Sequence, residues 1–207
     1  MRAHQAAGQS PAKHVTVPRW RLWPGPAPRR LQAARAQKGP PVDTSDAILL
    51  LTTGGTIDKQ YFDALSQYQI TDSIVARLLD VARVHHPYRI EEVLRKDSID
   101  ITTEEREQIA AHVRQASLRR IVITHGTDTM TQTAAALRGI PGKTIVLTGA
   151  LAPARFSESD AAFNLGMAFA TAQVAAPGVY IAMNGSVFRG EEVIKDRERG
   201  CFVRRED

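Results

Sequence analysis

Three short segments of this 207-residue chain combine hydroxyl side chains with glycine, each directly after an apolar run. They are Thr-Thr-Gly-Gly-Thr at 52–56, Thr-His-Gly-Thr-Asp-Thr at 124–129 and Thr-Gly-Ala at 148–150. A threonine hydroxyl acts as a nucleophile when another group accepts its proton. Glycine lets backbone N–H groups approach a ligand oxygen closely and stabilise negative charge on it. These segments are therefore the first candidates for chemistry.

The Gly-Gly-Thr sequence at 54–56 has two interpretations. Thr56 could be a nucleophile beside oxyanion donors that include Gly55, or the segment could be a tight turn between a strand and a helix with a threonine cap. The spacing of its glycines differs from that of dinucleotide-binding and phosphate-binding loops. Nucleotide binding is therefore unsupported.

Four other polar residues also have a functional and a structural interpretation. Asp128, next to Thr127, would bind an ammonium group or help a lysine deprotonate a threonine, or it would stabilise a helix N-terminus. Lys195 would by default be a solvated surface charge, since no local pattern assigns it another role. Ser98 would contact a ligand or cap a turn. For His125 the pattern favours a structural hydrogen bond over a base, and because no second histidine lies at metal-ligand spacing we expect no metal.

Five short apolar runs rich in Ile, Val and Leu predict strands buried on both faces. They are 47–51, 89–94, 121–124, 143–147 and 179–183. In an open α/β sheet, ligands bind in the crevice outside the carboxyl ends of the strands. Since the three candidate segments follow three of these strands, we expect them to form one pocket.

Helical patterns separate the predicted strands. Thr71 is expected to cap the first helix, and Thr102 followed three residues later by Glu105 predicts a capping box for the second. Thr127 or Asp128 would start the third helix, and Asp160 the fourth. The alternation predicts an α/β fold with three layers, in which a mostly parallel, flavodoxin- or Rossmann-like sheet has helices on both faces.

The net charge of +5 is unevenly distributed. Residues 1–45 hold eight Arg and Lys side chains against one acid, a net charge of +7, together with seven of the eleven prolines. We expect this segment to be a disordered extension and residues 46–207 to be a single domain. The extension could be dispensable, a weak polyanion-binding arm or a targeting segment. Otherwise we expect no nucleic-acid partner.

Composition excludes some classes of protein. The single cysteine, Cys201, rules out an internal disulfide framework and a Cys-rich zinc module. No run approaches the ~18 apolar residues of a membrane-spanning helix, so we expect no membrane association.

Together these segments resemble the bacterial-type L-asparaginase family of amidohydrolases. One family signature is similar to Thr-Gly-Gly-Thr-Ile at 53–57, and another to Thr-His-Gly-Thr-Asp-Thr-Met at 124–130. Further similarities are at 98–100, 148–150, 163–165, 183–187 and 192–195. The pair of signatures in this order and spacing is specific, and the resemblance runs from about residue 47 to about 200.

The resemblance implies roles for individual residues. Thr56 would attack the side-chain amide and carry an acyl intermediate, assisted by Tyr68 on a loop that closes over the substrate, with Tyr61 as a less well aligned competitor. Thr127, Asp128 and Lys195 would form a second triad, in which Thr127 positions water and Asp128 also binds the substrate ammonium.

The resemblance further implies that Ser98 holds the α-carboxylate of asparagine, or of glutamine, with Gly55 and Ala150 as additional substrate contacts. No cofactor is needed. We expect a cytoplasmic protein that forms a dimer or tetramer.

Three departures from the family pattern affect these expectations. The body resembles the amino-terminal catalytic domain alone, so the site would be more open or completed by a partner. Ile99 stands where family members often carry a substrate-binding glutamine. The segment 56–60 lacks a glycine-rich hinge for the closing loop. Two alternatives therefore remain: a binding protein for asparagine- or aspartate-like ligands without turnover, and the amidase subunit of a larger assembly such as a tRNA-dependent amidotransferase.

Overall fold

The computed structural model describes residues 46–62 and 67–205. The basic extension predicted at 1–45 lies outside the described residues. Ten strands and four α-helices make up the described part of the chain. The strands are β1 Ile48–Gly54, β2 Lys59–Phe62, β3 Gln67–Ile70, β4 Tyr88–Lys96, β5 Arg120–Thr124, β6 Thr144–Thr148, β7 Gly178–Met183, β8 Ser186–Arg189, β9 Val193–Asp196 and β10 Cys201–Arg204. The helices are α1 Val75–Val81, α2 Thr103–Gln115, α3 Met130–Ala136 and α4 Ala161–Val174.

The central sheet has six strands in the order β4-β1-β5-β6-β7-β8. The first five are parallel, and β8 pairs with β7 antiparallel. The order of the parallel strands is that of flavodoxin-like folds, in which the chain moves from the first strand to one side of the sheet and then to the other. The predicted mostly parallel sheet is confirmed, and all five predicted strands are present.

Two hydrophobic layers enclose the sheet, because neighbouring residues of a strand point to opposite faces. Leu49 and Leu51 of β1 pack with α2 and α3 in one layer. Ile48 and Leu50 pack with α1 and α4 in the other. The prediction of helices on both faces is confirmed. Burial of β1 on both faces explains why its sequence is a continuous apolar run rather than an alternating one.

The second helix begins with the predicted capping box. The Thr102 hydroxyl accepts a hydrogen bond from the Glu105 amide at 3.2 Å, and the Glu105 carboxylate accepts one from the Thr102 amide at 2.9 Å.

The prediction that Thr71 caps α1 is wrong. The Thr71 hydroxyl donates to the Asp58 carbonyl at 3.1 Å, and the Asp58 carboxylate accepts from the Ile74 amide at 2.9 Å, just before α1. Burial raises the pKa of Asp58, and the Ile74 amide opposes that shift. The helix start is thus satisfied by a carboxylate sixteen residues earlier in the chain.

Helix α3 begins later than predicted, whereas α4 begins where it was predicted. Instead of starting at Thr127 or Asp128, α3 starts at Met130. Asp160 precedes α4 as predicted, but its side chain makes no cap bond to that helix. Within residues 46–62 and 67–205, no helix is long and apolar enough to cross a membrane.

The antiparallel edge strand β8 follows a two-residue turn that the strand pattern did not predict. Asn184 and Gly185 both have positive φ, 48° and 87°, and they join the paired residues Met183 and Ser186. Such a turn suits the right-handed twist of a hairpin, and Asn-Gly is its preferred sequence. That dipeptide is the signal that could have revealed β8.

Candidate active site

The carboxyl ends of β1, β4 and β5 meet at the point where the strand order reverses. The Thr53 hydroxyl donates to the Thr124 carbonyl at 2.8 Å, which ties the end of β1 to the end of β5. The Gly55 amide donates to the Lys96 carbonyl at 2.9 Å, which ties β1 to β4. Ligands bind at this reversal in open α/β sheets. The strand ends at which the sequence predicts a ligand crevice are therefore joined to one another.

The loops after β1 and β5 touch backbone to backbone. A Cβ atom placed on Gly55 would lie 2.4 Å from the Gly126 nitrogen, and Gly55 has a φ of 83°. A Cβ atom placed on Gly126 would lie 2.5 Å from the Ser98 hydroxyl oxygen. Both positions therefore require glycine, because any side chain would separate the loops that carry the candidate residues.

Thr56 is half-buried and begins a 3₁₀ turn, Thr56–Asp58, directly after this contact. Ile57 anchors the turn: it is fully buried against Ala150, and its carbonyl accepts a hydrogen bond from the Ala154 amide at 3.2 Å. The predicted nucleophile is consequently held at the crevice by the burial of its neighbour.

Lys195 lies between the two other members of the predicted triad. Its ammonium nitrogen donates to the Thr127 hydroxyl at 2.7 Å and to the Asp128 carboxylate at 2.7 Å. The Lys195 side chain is 15% exposed and that of Asp128 is 41% exposed. The structure brings these three residues together, and Lys195 is not the solvated surface charge that was its alternative interpretation.

The hairpin of β9 and β10 brings Lys195 to this position. Val193 and Phe202 are buried in the hydrophobic layer of α2 and α3, and Phe202 pairs with Lys195 across the hairpin. Their burial fixes the hairpin against the domain. A residue 67 positions after Asp128 in the sequence thereby completes the cluster.

His125 supports the same loop from beneath. Its Nδ1 lies 2.8 Å from the Gly126 carbonyl and its Nε2 lies 2.8 Å from the Thr133 hydroxyl. A carbonyl only accepts, so Nδ1 carries the proton and Nε2 accepts from Thr133. Burial lowers the pKa of His125 to about 4, although the bond to Gly126 opposes the shift. The structural role predicted for His125 agrees with this geometry.

Ser98 and Ala150 border the crevice but expose almost no surface. The Ser98 hydroxyl is buried and has no hydrogen-bond partner among the described residues, while its carbonyl accepts from Thr129 at 2.7 Å. Ala150 is 1% exposed. Ile99, the departure from the family pattern, is 64% exposed, in contrast to the buried Ser98 that precedes it. A ligand oxygen would satisfy the Ser98 hydroxyl after rotation of that side chain towards the crevice.

Tyr68 lies on the β2–β3 hairpin, directly opposite Tyr61. The two ring centroids are 5.2 Å apart, and the Tyr68 ring is 6.2 Å from that of Phe156. Tyr68 also lines a cavity of about 400 Å³ with Lys59 and Asp97, which form an ion pair at 2.6 Å. The structure thus places Tyr68 and its competitor Tyr61 on the same face of one hairpin. Among the described residues, neither tyrosine forms a hydrogen bond with Thr56.

Sequence reasoning missed a polar cluster behind the loop at 148–150. Asp160, Asn164 and Asn184 are hydrogen-bonded to one another and to that loop. Asn164 is fully buried on a mostly apolar face of α4, four residues after Asp160. A polar pair at helical spacing on an apolar face is the signal that could have revealed the cluster. In the part of the chain that the structure describes, no group of His, Cys, Asp and Glu is arranged to hold a metal ion.

The contact between Gly55 and Gly126 predicts a difference between two glycine substitutions. Gly185 also has positive φ, but a Cβ atom placed there would meet no atom within 4 Å, so Gly185→Ala should lose only about 1–2 kcal/mol of unfolding free energy. Gly55→Ala adds a steric clash with Gly126, for which we expect about 1–3 kcal/mol more. Denaturant unfolding measures both, and equal losses would contradict the close contact.

The buried environment of His125 predicts that its ring stays neutral at pH 6, with the proton on Nδ1. Its folded pKa lies below the ordinary value of about 6.5, so the unfolded chain takes up a proton that the native state excludes. As the pH is lowered from 6.5 to 4, the free energy of unfolding should therefore fall, and His125 contributes at most about 3 kcal/mol to that fall. NMR of the ring nitrogens tests this, and titration of His125 near pH 6.5 would contradict it.

Comparison with known proteins identifies the family. The family described as "Asparaginase, N-terminal" matches residues 47–201. An L-asparaginase of Thermococcus kodakarensis is 34% identical over 163 residues, which cover 74% of this chain and 48% of that relative. The solved structure of the thermostable L-asparaginase from Thermococcus kodakarensis matches with a TM-score of 0.69 at 30% identity, over 76% of this chain and 51% of that one.

Two other relatives extend the comparison. A glutaminase-asparaginase of Pseudomonas aeruginosa is 31% identical over 182 residues, 79% of this chain and 49% of that protein. A glutamyl-tRNA(Gln) amidotransferase component of Methanococcus vannielii is 40% identical over 87 residues, 41% of this chain and 20% of that protein. The chain spans about half the length of the two relatives that carry the asparaginase name. It therefore belongs to the asparaginase family and corresponds to the amino-terminal domain of that family.

Proposed function

We propose that the protein is an amidohydrolase that converts the side-chain amide of L-asparagine, or alternatively that of L-glutamine, to the acid and ammonia. The observation that carries the proposal is the cluster of Lys195, Thr127 and Asp128, with two 2.7 Å contacts, at the strand ends that also carry Thr56. Membership of the asparaginase family and similarity to proteins named L-asparaginase and glutaminase-asparaginase support it.

The first half of the proposed reaction is acyl transfer to Thr56. Its hydroxyl oxygen attacks the amide carbon, the C–N bond breaks, and the hydroxyl proton leaves with the nitrogen as ammonia. The negative charge that develops on the amide oxygen needs a hydrogen-bond donor. The Gly55 amide already donates to the Lys96 carbonyl, so we propose the Thr56 amide, at the start of the 3₁₀ turn, as that donor. The product on the protein is an ester between the Thr56 oxygen and the aspartyl side chain.

The second half is hydrolysis of that ester. Thr127 positions a water molecule, and Lys195 in its neutral amine form accepts a proton through the Thr127 hydroxyl. Asp128 stabilises the ammonium that Lys195 then becomes, because their atoms are 2.7 Å apart. Water breaks the ester bond, aspartate leaves, and the proton returns to Thr56.

The substrate contacts are proposed from the same crevice. The buried Ser98 hydroxyl lacks a protein partner among the described residues, and it would donate to the α-carboxylate of the substrate. Asp128, whose side chain is partly exposed, would also bind the substrate ammonium. Ala150 would contribute backbone contacts, and Gly55 would contact the substrate through its Cα atom, because its amide donates to Lys96 and its carbonyl accepts from the Asp58 amide. No cofactor takes part in these steps.

Tyr68 is proposed to assist Thr56 when the β2–β3 hairpin approaches the bound substrate. Tyr68 is 51% exposed, so it is free to contact a ligand, and Tyr61 opposite it is 43% exposed. Comparing Tyr68→Phe with Tyr61→Phe would separate the two, because each substitution removes only one hydroxyl group.

We also propose that the protein works as a dimer or tetramer, since a site built at an exposed crevice gains enclosure from a second chain. A different assembly is the second candidate, favoured by the similarity to an amidotransferase component. In that assembly the same threonine chemistry would release ammonia for a partner. Light scattering of the purified chain separates an oligomer from a monomer that awaits another protein.

Ammonia release by the full chain from L-asparagine, L-glutamine and D-asparagine tests the proposed activity. Thr56→Ala removes the nucleophile and should lower the rate at least about a thousandfold, whereas Thr56→Ser keeps a hydroxyl and should retain part of it. Lys195→Met should lower it at least about a hundredfold.

Lys143→Met is the matched control for Lys195→Met. Lys143 is also partly buried, and its ammonium donates to the Ala116 and Leu118 carbonyls at 2.7 and 2.9 Å, beside the amino end of β6. Loss of Lys143 should affect stability but leave the turnover of the folded protein unchanged.

Unaltered turnover in Thr56→Ala would overturn the proposal. Calorimetric binding of asparagine without turnover would instead indicate a binding protein.

A further inference from the structure

Asp160 gathers hydrogen bonds from three separate parts of the chain. Its carboxylate accepts from the Leu151 amide at 3.0 Å and from the Ala152 amide at 3.1 Å, both in the loop after β6. It also accepts from the side-chain amide of Asn164 in α4 at 2.8 Å and from that of Asn184 in the β7–β8 turn at 3.1 Å. All four donors are satisfied by one carboxylate.

These bonds fix the backbone on both sides of Ala150. Before it, the Gly149 carbonyl accepts from the Asn164 side chain at 3.0 Å. After it, the Leu151 amide donates to Asp160. Ala150 itself is buried and has a methyl side chain, so only its backbone atoms can bind a polar ligand. The orientation of those atoms is therefore set by Asp160 and Asn164.

Neither the Asp160 carboxylate nor the buried Asn164 side chain is needed to form helix α4. Asp160 immediately precedes α4, where an aspartate ordinarily caps the helix, yet its side chain makes no cap bond. Asn164 is fully buried, and its oxygen accepts from the Asn184 backbone amide at 2.9 Å. Burying such a polar group is unfavourable unless all its bonds are made, and here they are made to the loop and the neighbouring turn.

We propose that Asp160 is a positioning residue that holds the backbone of Ala150 in the orientation needed to bind the substrate. This inference rests on the proposed function, because it assigns Ala150 to the substrate contacts of that site. Asp160 does not touch the substrate; it acts through the Leu151 and Ala152 amides and through Asn164. Its loss should weaken substrate binding while the triad of Lys195 remains intact.

Two substitutions in the full chain grade the effect. Asp160→Asn turns one acceptor into a donor that faces the Asn164 and Asn184 donors, and Asp160→Ala removes every acceptor. We expect KM for asparagine to rise by about tenfold or more, further in the alanine variant, while kcat changes much less. A purely structural role would instead lower the amount of folded protein without this split.

Thr171→Val in the same helix is the matched control. The Thr171 hydroxyl is buried and donates to the Met167 carbonyl at 2.8 Å, one helical turn earlier, without contact to the loop. Its loss should leave KM unchanged at comparable stability. An unchanged KM in both Asp160 variants, or the same change in Thr171→Val, would overturn the proposal.

Hydrogen exchange separates this inference from the proposed function. If the unaltered chain releases no ammonia from any of the amides, the proposed function fails, and exchange at residues 150–152 still decides the positioning. Exchange at least about tenfold faster in Asp160→Ala than in Thr171→Val supports the positioning of Ala150 by Asp160. Equal exchange rates in the two variants overturn it.

Discussion

Close contact between the backbone of Gly55 and that of Gly126 is the constraint on which the candidate site depends. The two loops leave adjacent parallel strands, and a Cβ atom on Gly55 would come within 2.4 Å of the Gly126 nitrogen. Only this approach brings Thr56 and Thr127 to one crevice, since each threonine directly follows its glycine. Hydrogen bonds from the Thr53 hydroxyl to the Thr124 carbonyl and from the Thr129 hydroxyl to the Ser98 carbonyl stabilise the same junction. The absence of a side chain at Gly55 and Gly126 thus positions the two threonines.

The β9–β10 hairpin brings a lysine to this junction. Val193 and Phe202 bury one face of the β9–β10 hairpin in the core, which carries Lys195 to within 2.7 Å of both Thr127 and Asp128. His125 remains uncharged beneath the loop because burial lowers its pKa, so it adds no competing positive charge beside Lys195. In the proposed reaction, Asp128 would stabilise the ammonium that forms when the neutral Lys195 amine takes the proton of the Thr127 hydroxyl.

Much of this arrangement could be predicted from the sequence, because it follows from local patterns. Strands buried on both faces appear as continuous apolar runs, so all five parallel strands are correctly predicted. The Thr-Gly segments lie at their carboxyl ends, although β1 extends through Thr52 and Thr53 to Gly54 instead of ending at residue 51. Contacts between distant segments leave no local pattern. The carboxylate of Asp58 satisfies the start of α1, which made the prediction for Thr71 wrong, and the turn at Asn184 and Gly185 that creates β8 was overlooked. Lys195 was linked to Thr127 only by resemblance to the family, since nothing near it in the sequence indicates burial.

The central claim is that Thr56, and not Thr127, forms the covalent intermediate. The most direct test is to mix the full chain with L-asparagine, quench with acid within the first turnovers, and locate any aspartyl ester by peptide mass spectrometry. We predict an ester on the peptide that contains Thr56, and a larger amount of it in Lys195→Met, where the second step is impaired. An ester on Thr127, or on any residue other than Thr56, would contradict this claim.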